Sequence, residues 1–222
     1  MSLARQTILR RIRAGLRDVP DGEQPADVVV AHVYRQMDER PHAEIVAQFA
    51  ERVAEYRATV RRITDRELPE AIAAACTGRG VRQLVVPADI PASWLPAELV
   101  VQPDDGLTAE QLDTSEGVLT GCALGIAQTG TIVLDAGPHQ GRRLLTLLPD
   151  YHLCVVYADQ IVGVVPEAIR HLEAAVRDER RPITLISGPS ATSDIELNRV
   201  EGVHGPRTLH VLIVDTGEQG HL

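Results

Sequence analysis

The densest group of chemically useful side chains lies in the run Gly188–Glu196, directly after an apolar segment. The run carries hydroxyl groups and carboxylates, which come from Ser190, Thr192, Ser193, Asp194 and Glu196. Together with backbone amides at a helix N-terminus, such groups can hold an anion or a polyol. The same residue types also serve as a simple helix N-cap, and the sequence alone leaves both interpretations open.

A second group surrounds His204. The run Gly202–Arg207 places this histidine between two glycines, just before the last apolar segment. Gly202 and Gly205 permit backbone geometries closed to other residues and leave His204 little local packing. Imidazole titrates near neutral pH, so a histidine near paired carboxylates suits a general base, although a lone histidine more often has a structural role. The candidates for catalytic groups are therefore Asp194, Glu196 and His204.

Two weaker candidates lie earlier in the chain. The turn Thr129–Thr131 offers two hydroxyls and a glycine between apolar segments, which suits either an anion or a hairpin turn that needs no ligand. Glu116 stands before a glycine at the start of a predicted strand, where a carboxylate nucleophile could be presented, but its acidic neighbours favour a solvated loop. The predicted ligand-binding residues are Thr129, Gly130, Thr131, Gly188, Ser190, Thr192, Gly202 and Gly205.

The composition of the 222-residue chain excludes several function classes. All 22 basic residues are arginine, and this absence of lysine excludes Schiff-base enzymes, P-loop NTPases and kinases of the usual design. A net charge of −9 and an aromatic content of 3% argue against nucleic-acid binding. The three cysteines show no C-x-x-C spacing and the eight histidines no H-x-x-x-H pair, so we predict no metal site, no disulfide and no iron–sulfur cluster on this chain. Because the apolar runs are too short to cross a bilayer and no secretory h-region is present, we expect a cytoplasmic protein without a membrane span.

Apolar spacing predicts the elements that must position these groups. Ser2–Val19 reads as an amphipathic basic helix, followed by a Pro- and Gly-containing linker over Pro20–Asp27. A second helix is predicted over Pro41–Thr59. Beyond it, a strand at Val60–Thr64, a helix through Ala71–Ala75 introduced by a T-x-x-E capping box, and a strand at Gln83–Val86 indicate a βαβ unit and a parallel sheet.

The same order of strand, helix and strand recurs in the second half of the chain. Leu153–Tyr157, Pro166–Arg177 and Ile183–Ser187 read as strand, helix and strand, and Leu209–Val214 as the final strand. Between the two halves, glycines divide the β-branched segment Gly117–Leu134 into antiparallel strands inserted in or added to the parallel sheet. The predicted organisation is a helix and linker over residues 1–38, an α/β domain over 39–216 and a frayed tail over 217–222.

The motifs of this α/β domain resemble those of the LUD domain group, the lactate-utilisation protein C family. One part of the resemblance is the C-terminal signature, carried by Ile186–Ser190, Thr192, Asp194–Glu196, Gly202–Pro206 and Leu209–Val211. The other is an apolar pair at Ile126–Ala127 followed by Thr129–Thr131. The similarity covers roughly residues 39–216, and two motifs in the right order make it fairly specific.

The resemblance implies a three-layer α/β/α fold with a mostly parallel sheet, similar to the sugar-phosphate isomerase and CoA-transferase (NagB/RpiA-like) proteins, preceded by an N-terminal helical arm. It also implies a subunit of an L-lactate utilisation system, which oxidises L-lactate to pyruvate together with iron–sulfur partner proteins. In that role the LUD domain would bind a small anionic metabolite, and the iron–sulfur centres would be carried by the partners. Self-association is left open.

Two departures from the family pattern remove charge. The family commonly has an acidic residue before Thr-Gly-Thr, where this chain has Gln128, and an arginine after Gly-Pro-Ser, where it has Ala191. These departures favour an alternative, a non-catalytic assembly or regulatory module. A further alternative is a stand-alone domain like a CoA-transferase or a formyltetrahydrofolate cyclo-ligase, with Glu116 as the nucleophile.

Overall fold

A computed structural model of the chain describes residues 3–20, 22, 24, 27, 33–192, 200–201 and 205–215. The chain divides into two compact units, residues 1–34 and residues 35–222. The first unit contains helix α1 (Leu3–Gly15), in agreement with the amphipathic pattern. Half of the predicted linker Pro20–Asp27 falls outside the described residues, and the predicted frayed tail, residues 217–222, lies wholly outside them.

The second unit is built on a six-stranded parallel sheet. Its strands are β1 (Thr59–Thr64), β2 (Gln83–Val86), β3 (Val100–Pro103), β4 (Val118–Thr120), β7 (Tyr151–Tyr157) and β12 (Thr208–Asp215). They lie in the order β1-β12-β7-β4-β2-β3, with every neighbouring pair parallel. The central strands are apolar along most of their length, because a parallel sheet is covered on both faces.

One face of the parallel sheet is covered by α3 (Leu68–Thr77). The helix packs Leu68 and Ile72 against Leu153 and Leu212 of the two central strands. It follows a 3-10 turn over Asp65–Glu67, whose start is held by the predicted capping box: the Thr64 backbone N–H donates to the Glu67 carboxylate at 2.8 Å.

The other face is covered by α2 (His42–Glu55) together with a second, four-stranded sheet. Phe49 and Val53 of α2 are fully buried against the central strands, with Ile132 of the second sheet completing the same core. The strands of this sheet are β5 (Leu124–Ile126), β6 (Thr131–Leu134), β8 (Ile161–Val162) and β9 (Thr184–Ile186), in the order β8-β5-β6-β9. Its outer side packs on Ala168 and Leu172 of α5 (Val165–Arg177).

The second sheet corrects one part of the predicted topology. The strand at Ile183–Ser187 exists as β9, but it pairs antiparallel with β6 and does not return to the parallel sheet. Leu185 in its centre is 63% exposed, as suits an edge strand and not a doubly covered one. The predicted antiparallel strands of Gly117–Leu134 are likewise split, since β4 joins the parallel sheet whereas β5 and β6 form the second sheet with each other.

The remaining elements are short. Helix α4 (Ala109–Asp113) packs Leu112 beneath β4, and β10 (Ala191–Thr192) pairs antiparallel with β11 (Val200–Glu201). Ala191 and Thr192 therefore lie in a strand, so the helix considered for this segment does not begin at these residues. Within the described part of the chain, no helix is both long and apolar enough to cross a membrane.

Candidate functional site

A cavity of about 220 Å³ opens at the amino ends of β7 and β12, beside β9 of the second sheet. Its polar lining consists mainly of hydroxyl groups, one guanidinium and one imidazole, from Arg143, Thr146, His152, Thr184, Ser187 and Ser190. No carboxylate belongs to the described lining. The predicted residues Gly188, Ser190 and Gly205 all lie on its wall, so the structure brings two of the predicted loops together at the amino edge of the sheet and not at its carboxyl edge.

One backbone hydrogen bond joins these two loops. The N–H of Ser190 donates to the carbonyl of Pro206 at 2.8 Å. The loop after β9 and the loop before β12 therefore meet through the main chain. Thr192, also predicted as a ligand-binding residue, lies in β10, directly beyond this contact.

Arg143 supplies the positive charge of the cavity. It begins the 3-10 turn Arg143–Thr146, and its Nη1 donates to the Thr146 hydroxyl at 3.1 Å. Partial burial lowers the pKa of its guanidinium from the ordinary value. The neighbouring Arg142 is paired with Asp104 at 2.6 Å, whereas Arg143 makes no ion pair with any residue in the described part of the chain. A partly desolvated guanidinium beside hydroxyl groups is suited to an anionic ligand.

The predicted Thr129–Thr131 turn is tied to this cavity by a chain of hydroxyls. The hydroxyl oxygens of Thr129 and Thr131 are 2.7 Å apart, and that of Thr131 lies 2.8 Å from the Ser187 hydroxyl. Thr131 is buried in the first position of β6, while Ser187 follows β9 and reaches the cavity wall. The threonine hydroxyls are thus hydrogen-bonded to protein groups, and Ser187 connects the turn to the cavity.

Close packing against α2 explains two glycines of the motifs. Gly130 has φ +58°, and a Cβ there would lie 2.7 Å from the backbone carbonyl carbon of Arg52. Gly188 has φ +86°, and a Cβ there would lie 2.4 Å from the Cβ of Tyr56. Both contacts are too short for any side chain, so each glycine fixes a loop directly onto the end of the helix.

The floor of the cavity contains a buried histidine that the sequence did not single out. His152 is 1% exposed, and its Nε2 lies 2.8 Å from the hydroxyl of Thr120 on the adjacent strand. Both side chains stand on a face of the sheet that is otherwise filled by apolar residues. A hydrogen-bonded pair of this kind is tolerated in such a core because each polar group satisfies the other.

The remaining predicted site residues have different outcomes. Asp194, Glu196, Gly202 and His204 lie outside the described residues. Glu116 accepts hydrogen bonds from the backbone N–H groups of Arg82 and Gln83, the latter at 3.0 Å, and these lower the pKa of its carboxyl. This carboxylate holds the start of β2 to the segment before β4.

The described cysteines are free and buried, and burial raises the pKa of the Cys76 thiol to about 11. Among the described residues, no three His, Cys, Asp or Glu side chains gather in a way that could hold a metal ion.

Sequence reasoning missed five residues of the polar lining, which are Arg143, Thr146, His152, Thr184 and Ser187. Arg143 stands beside a second arginine, and nothing in the sequence shows which of the two is paired with a carboxylate. His152 lies inside an apolar strand, where a histidine is more often structural. Ser187 was noted as part of the resemblance but not as a ligand-binding residue.

Comparison with known proteins places this architecture among described relatives. The family model of the LUD domain matches residues 46–214. The chain is 51% identical to the lactate utilization protein C of Deinococcus radiodurans over 173 residues, 78% of this chain and 80% of that protein. It is 30% identical to the uncharacterized protein YkgG of Escherichia coli over 193 residues, 81% of this chain and 82% of that protein.

One solved structure is also similar. The crystal structure of a DUF162 family protein from Deinococcus radiodurans superposes with a TM-score of 0.70 at 45% identity, covering 79% of this chain and 99% of that one.

Proposed function

Because the chain belongs to the LUD domain family, and relatives in that family are named lactate utilization protein C, we propose that this protein takes part in lactate utilisation by binding a small anion in the amino-edge cavity. The observation that carries the proposal is Arg143, a partly desolvated guanidinium that no described carboxylate neutralises. A cavity of about 220 Å³ lies below the range of about 300–1,000 Å³ typical of drug-sized ligands, which favours a small metabolite.

The lining suits a hydroxy acid such as L-lactate. In this proposal the carboxylate of the ligand accepts charge-assisted hydrogen bonds from Arg143, and its hydroxyl is bound by Ser187 or Ser190. Arg143 would thereby supply the guanidinium that is absent at position 191. The departure at Ala191 moves the positive charge to another loop without removing it from the site.

The redox step follows from the chemistry of lactate. Oxidation of L-lactate to pyruvate removes two electrons and two protons, and we propose that the electrons pass to iron–sulfur partner proteins. Asp194, Glu196 and His204 remain the proposed groups for accepting the hydroxyl proton. A general base within reach of the ligand is needed because the hydroxyl proton must leave as the carbon is oxidised.

The charge of Arg143 gives the direct test. We expect the variant Arg143→Gln to bind L-lactate and pyruvate about ten- to hundredfold more weakly in isothermal titration, since a hydrogen bond to a charged group contributes about 1.5–3 kcal/mol. Arg143→Lys should regain part of the affinity. Arg207→Gln is the matched control, because it removes the same charge from an exposed arginine that pairs with Asp150 at 3.4 Å outside the cavity lining. Equal affinity for all four proteins would refute the anion site.

A second candidate function, a non-catalytic assembly module, is favoured by the hydroxyl chain. Thr129 and Thr131 are hydrogen-bonded within the protein, and Gly130 and Gly188 are used for packing on α2. An anaerobic affinity pull-down, with the eluate assayed for L-lactate-dependent dye reduction, separates the two functions. Recovery of iron–sulfur partners whose activity falls with Arg143→Gln supports a ligand-binding subunit, whereas unchanged activity supports the assembly module.

A further inference from the structure

A second and larger cavity, of about 490 Å³, lies at the opposite edge of the parallel sheet. It is lined by residues that follow the carboxyl ends of β4 and β7, by Trp94 in the connection after β2, and by residues of α5. The chain leaves β2 toward β3 on one side and leaves β4 toward β7 on the other. Open α/β sheets bind ligands at the carboxyl edge where neighbouring connections diverge in this way.

Aromatic side chains form one wall of this cavity. Trp94 Nε1 donates to the Tyr157 hydroxyl at 3.0 Å, and the Trp94 and His139 rings lie 5.6 Å apart at an angle of 59°. Gly121 permits this arrangement, because a Cβ there would lie 3.3 Å from both the indole and the Cβ of His139. The wall is therefore fixed in place before any ligand arrives.

The loop that carries His139 is strained. Ala136 has φ +54° and His139 has φ +63°, a conformation that costs residues with a Cβ on the order of 1 kcal/mol or more each. Two main-chain hydrogen bonds hold the loop: His139 N–H donates to the Asp89 carboxylate at 2.8 Å, and Gly121 N–H donates to the His139 carbonyl at 2.7 Å. Strain that is held in this way is typical of ligand-binding and catalytic positions.

The hydrogen bonding of His139 fixes the tautomer of its neutral ring. Its Nδ1 lies 2.7 Å from the backbone carbonyl of Asp89. A carbonyl oxygen only accepts, so Nδ1 carries the proton, and in the neutral ring Nε2 is an acceptor. No residue within the described ranges hydrogen-bonds Nε2, which leaves this atom available to a ligand in the cavity that the ring lines.

The charges of the cavity disfavour an anion. The Asp135 carboxylate accepts hydrogen bonds from Arg181 Nη1 and from the Gln140 side chain, each at 2.8 Å, so the only arginine among the described lining residues is already neutralised. Asp159 adds a second carboxylate to the lining. This cavity thus differs in kind from the amino-edge cavity, which offers an arginine and no described carboxylate.

We propose that the carboxyl-edge cavity binds an uncharged heteroaromatic ring of nucleoside size, packed against Trp94, with an N–H group donating to Nε2 of His139. The aromatic wall provides apolar area, and Nε2 of His139 provides the acceptor for the ring edge. Its volume falls within the usual range for ligands of this size. The proposal stands independently of the anion site.

Trp94 makes the test specific, because it is the single tryptophan of the chain. We expect at least one of four neutral nucleosides, adenosine, guanosine, cytidine and uridine, to change Trp94 fluorescence saturably. L-lactate, which would bind at the other edge, should leave the fluorescence unchanged. No saturable change with any of the four nucleosides would overturn the proposal, whatever the outcome of the lactate titration.

The role of His139 is tested by His139→Asn. Asparagine tolerates positive φ and can still donate to the Asp89 carbonyl, but it lacks an atom equivalent to Nε2. We expect about three- to tenfold weaker binding of the nucleoside, the range of one neutral hydrogen bond. His42→Asn is the matched control, since His42 is exposed at the start of α2 and does not line the cavity. Equal affinity in His139→Asn, with its circular dichroism unchanged, would overturn the assigned contact.

Discussion

Asp38, in the segment before α2, accepts two hydrogen bonds from Arg40. Replacing Asp38 tests how much these hydrogen bonds stabilise the fold. Arg40 donates from Nε to one carboxylate oxygen at 3.0 Å and from Nη2 to the other at 2.6 Å. The Asp38 side chain is only 1% exposed and lies against Gly163, where a Cβ would come within 2.1 Å of the Cβ of Asp38. The Arg40 side-chain hydrogen bond is the main cause that lowers the pKa of Asp38 to about 2, against the opposing effect of burial.

The lowered pKa fixes both the size and the direction of the effect. The difference between the ordinary value of 3.8 and about 2 corresponds to about 2 kcal/mol, which solvent screening of the partly exposed Arg40 reduces to about 1–2 kcal/mol. Because the pKa is lower in the folded state, this stability is fully present above pH 4. It is lost as the pH falls through 2, and folded and unfolded chains are both protonated only below that value.

The assay is urea unfolding of the wild-type protein and of Asp38→Asn between pH 7 and pH 2. We expect the variant to be about 1–2 kcal/mol less stable at pH 7, with the gap closing below pH 4 as the wild-type carboxyl becomes neutral. Asp105→Asn serves as control, because this exposed side chain makes no ion pair or hydrogen bond with the described residues. A gap that stays constant from pH 4 to pH 2 would show that the loss comes from packing and not from the charge.

Two further predictions concern the Thr129–Thr131 turn. Gly130→Ala should lower the free energy of unfolding by at least about 2 kcal/mol, because its Cβ would meet the Arg52 backbone. Gly80→Ala, with φ +71° but open space around it, should cost only about 1 kcal/mol. Equal losses for the two variants in chemical denaturation would contradict the close contact at Gly130. Thr131→Val should lower the free energy of unfolding by about 1–2 kcal/mol, because it leaves the Ser187 hydroxyl without its partner. The same variant should leave L-lactate affinity unchanged. A large loss of affinity at normal stability would instead make Thr131 a ligand-binding residue.

Local signals predicted the individual elements well. β2 spans the predicted residues Gln83–Val86, and the capping box at Thr64 lies where its T-x-x-E spacing indicated. Both features depend on contacts within a few residues, which a sequence window contains. Which sheet β9 joins depends on how α5 packs, and no pattern within Ile183–Ser187 predicts it.

The sequence predicted only part of the candidate site, because the rest of the site also depends on contacts between distant residues. Gly188 and Gly205 were both predicted to bind the ligand, and their loops meet on one cavity wall. Their meeting place at the amino edge follows from the antiparallel direction of β9, which sequence periodicity does not specify. The role of Arg143 depends on the pairing of its neighbour Arg142 with Asp104. This tertiary contact is not predicted by the sequence.

The common direction of the strands in the parallel sheet has a consequence for assembly. β7 begins at the floor of one cavity, at His152, and ends at the wall of the other, at Tyr157. Its seven residues span about 20 Å at about 3.3 Å per residue, so the two openings face opposite ends of the sheet. A partner protein that covered one opening would leave the other exposed to solvent. One molecule would then receive a metabolite at one end while it is docked at the other, with the buried strand β7 as the shortest mechanical link between the two events.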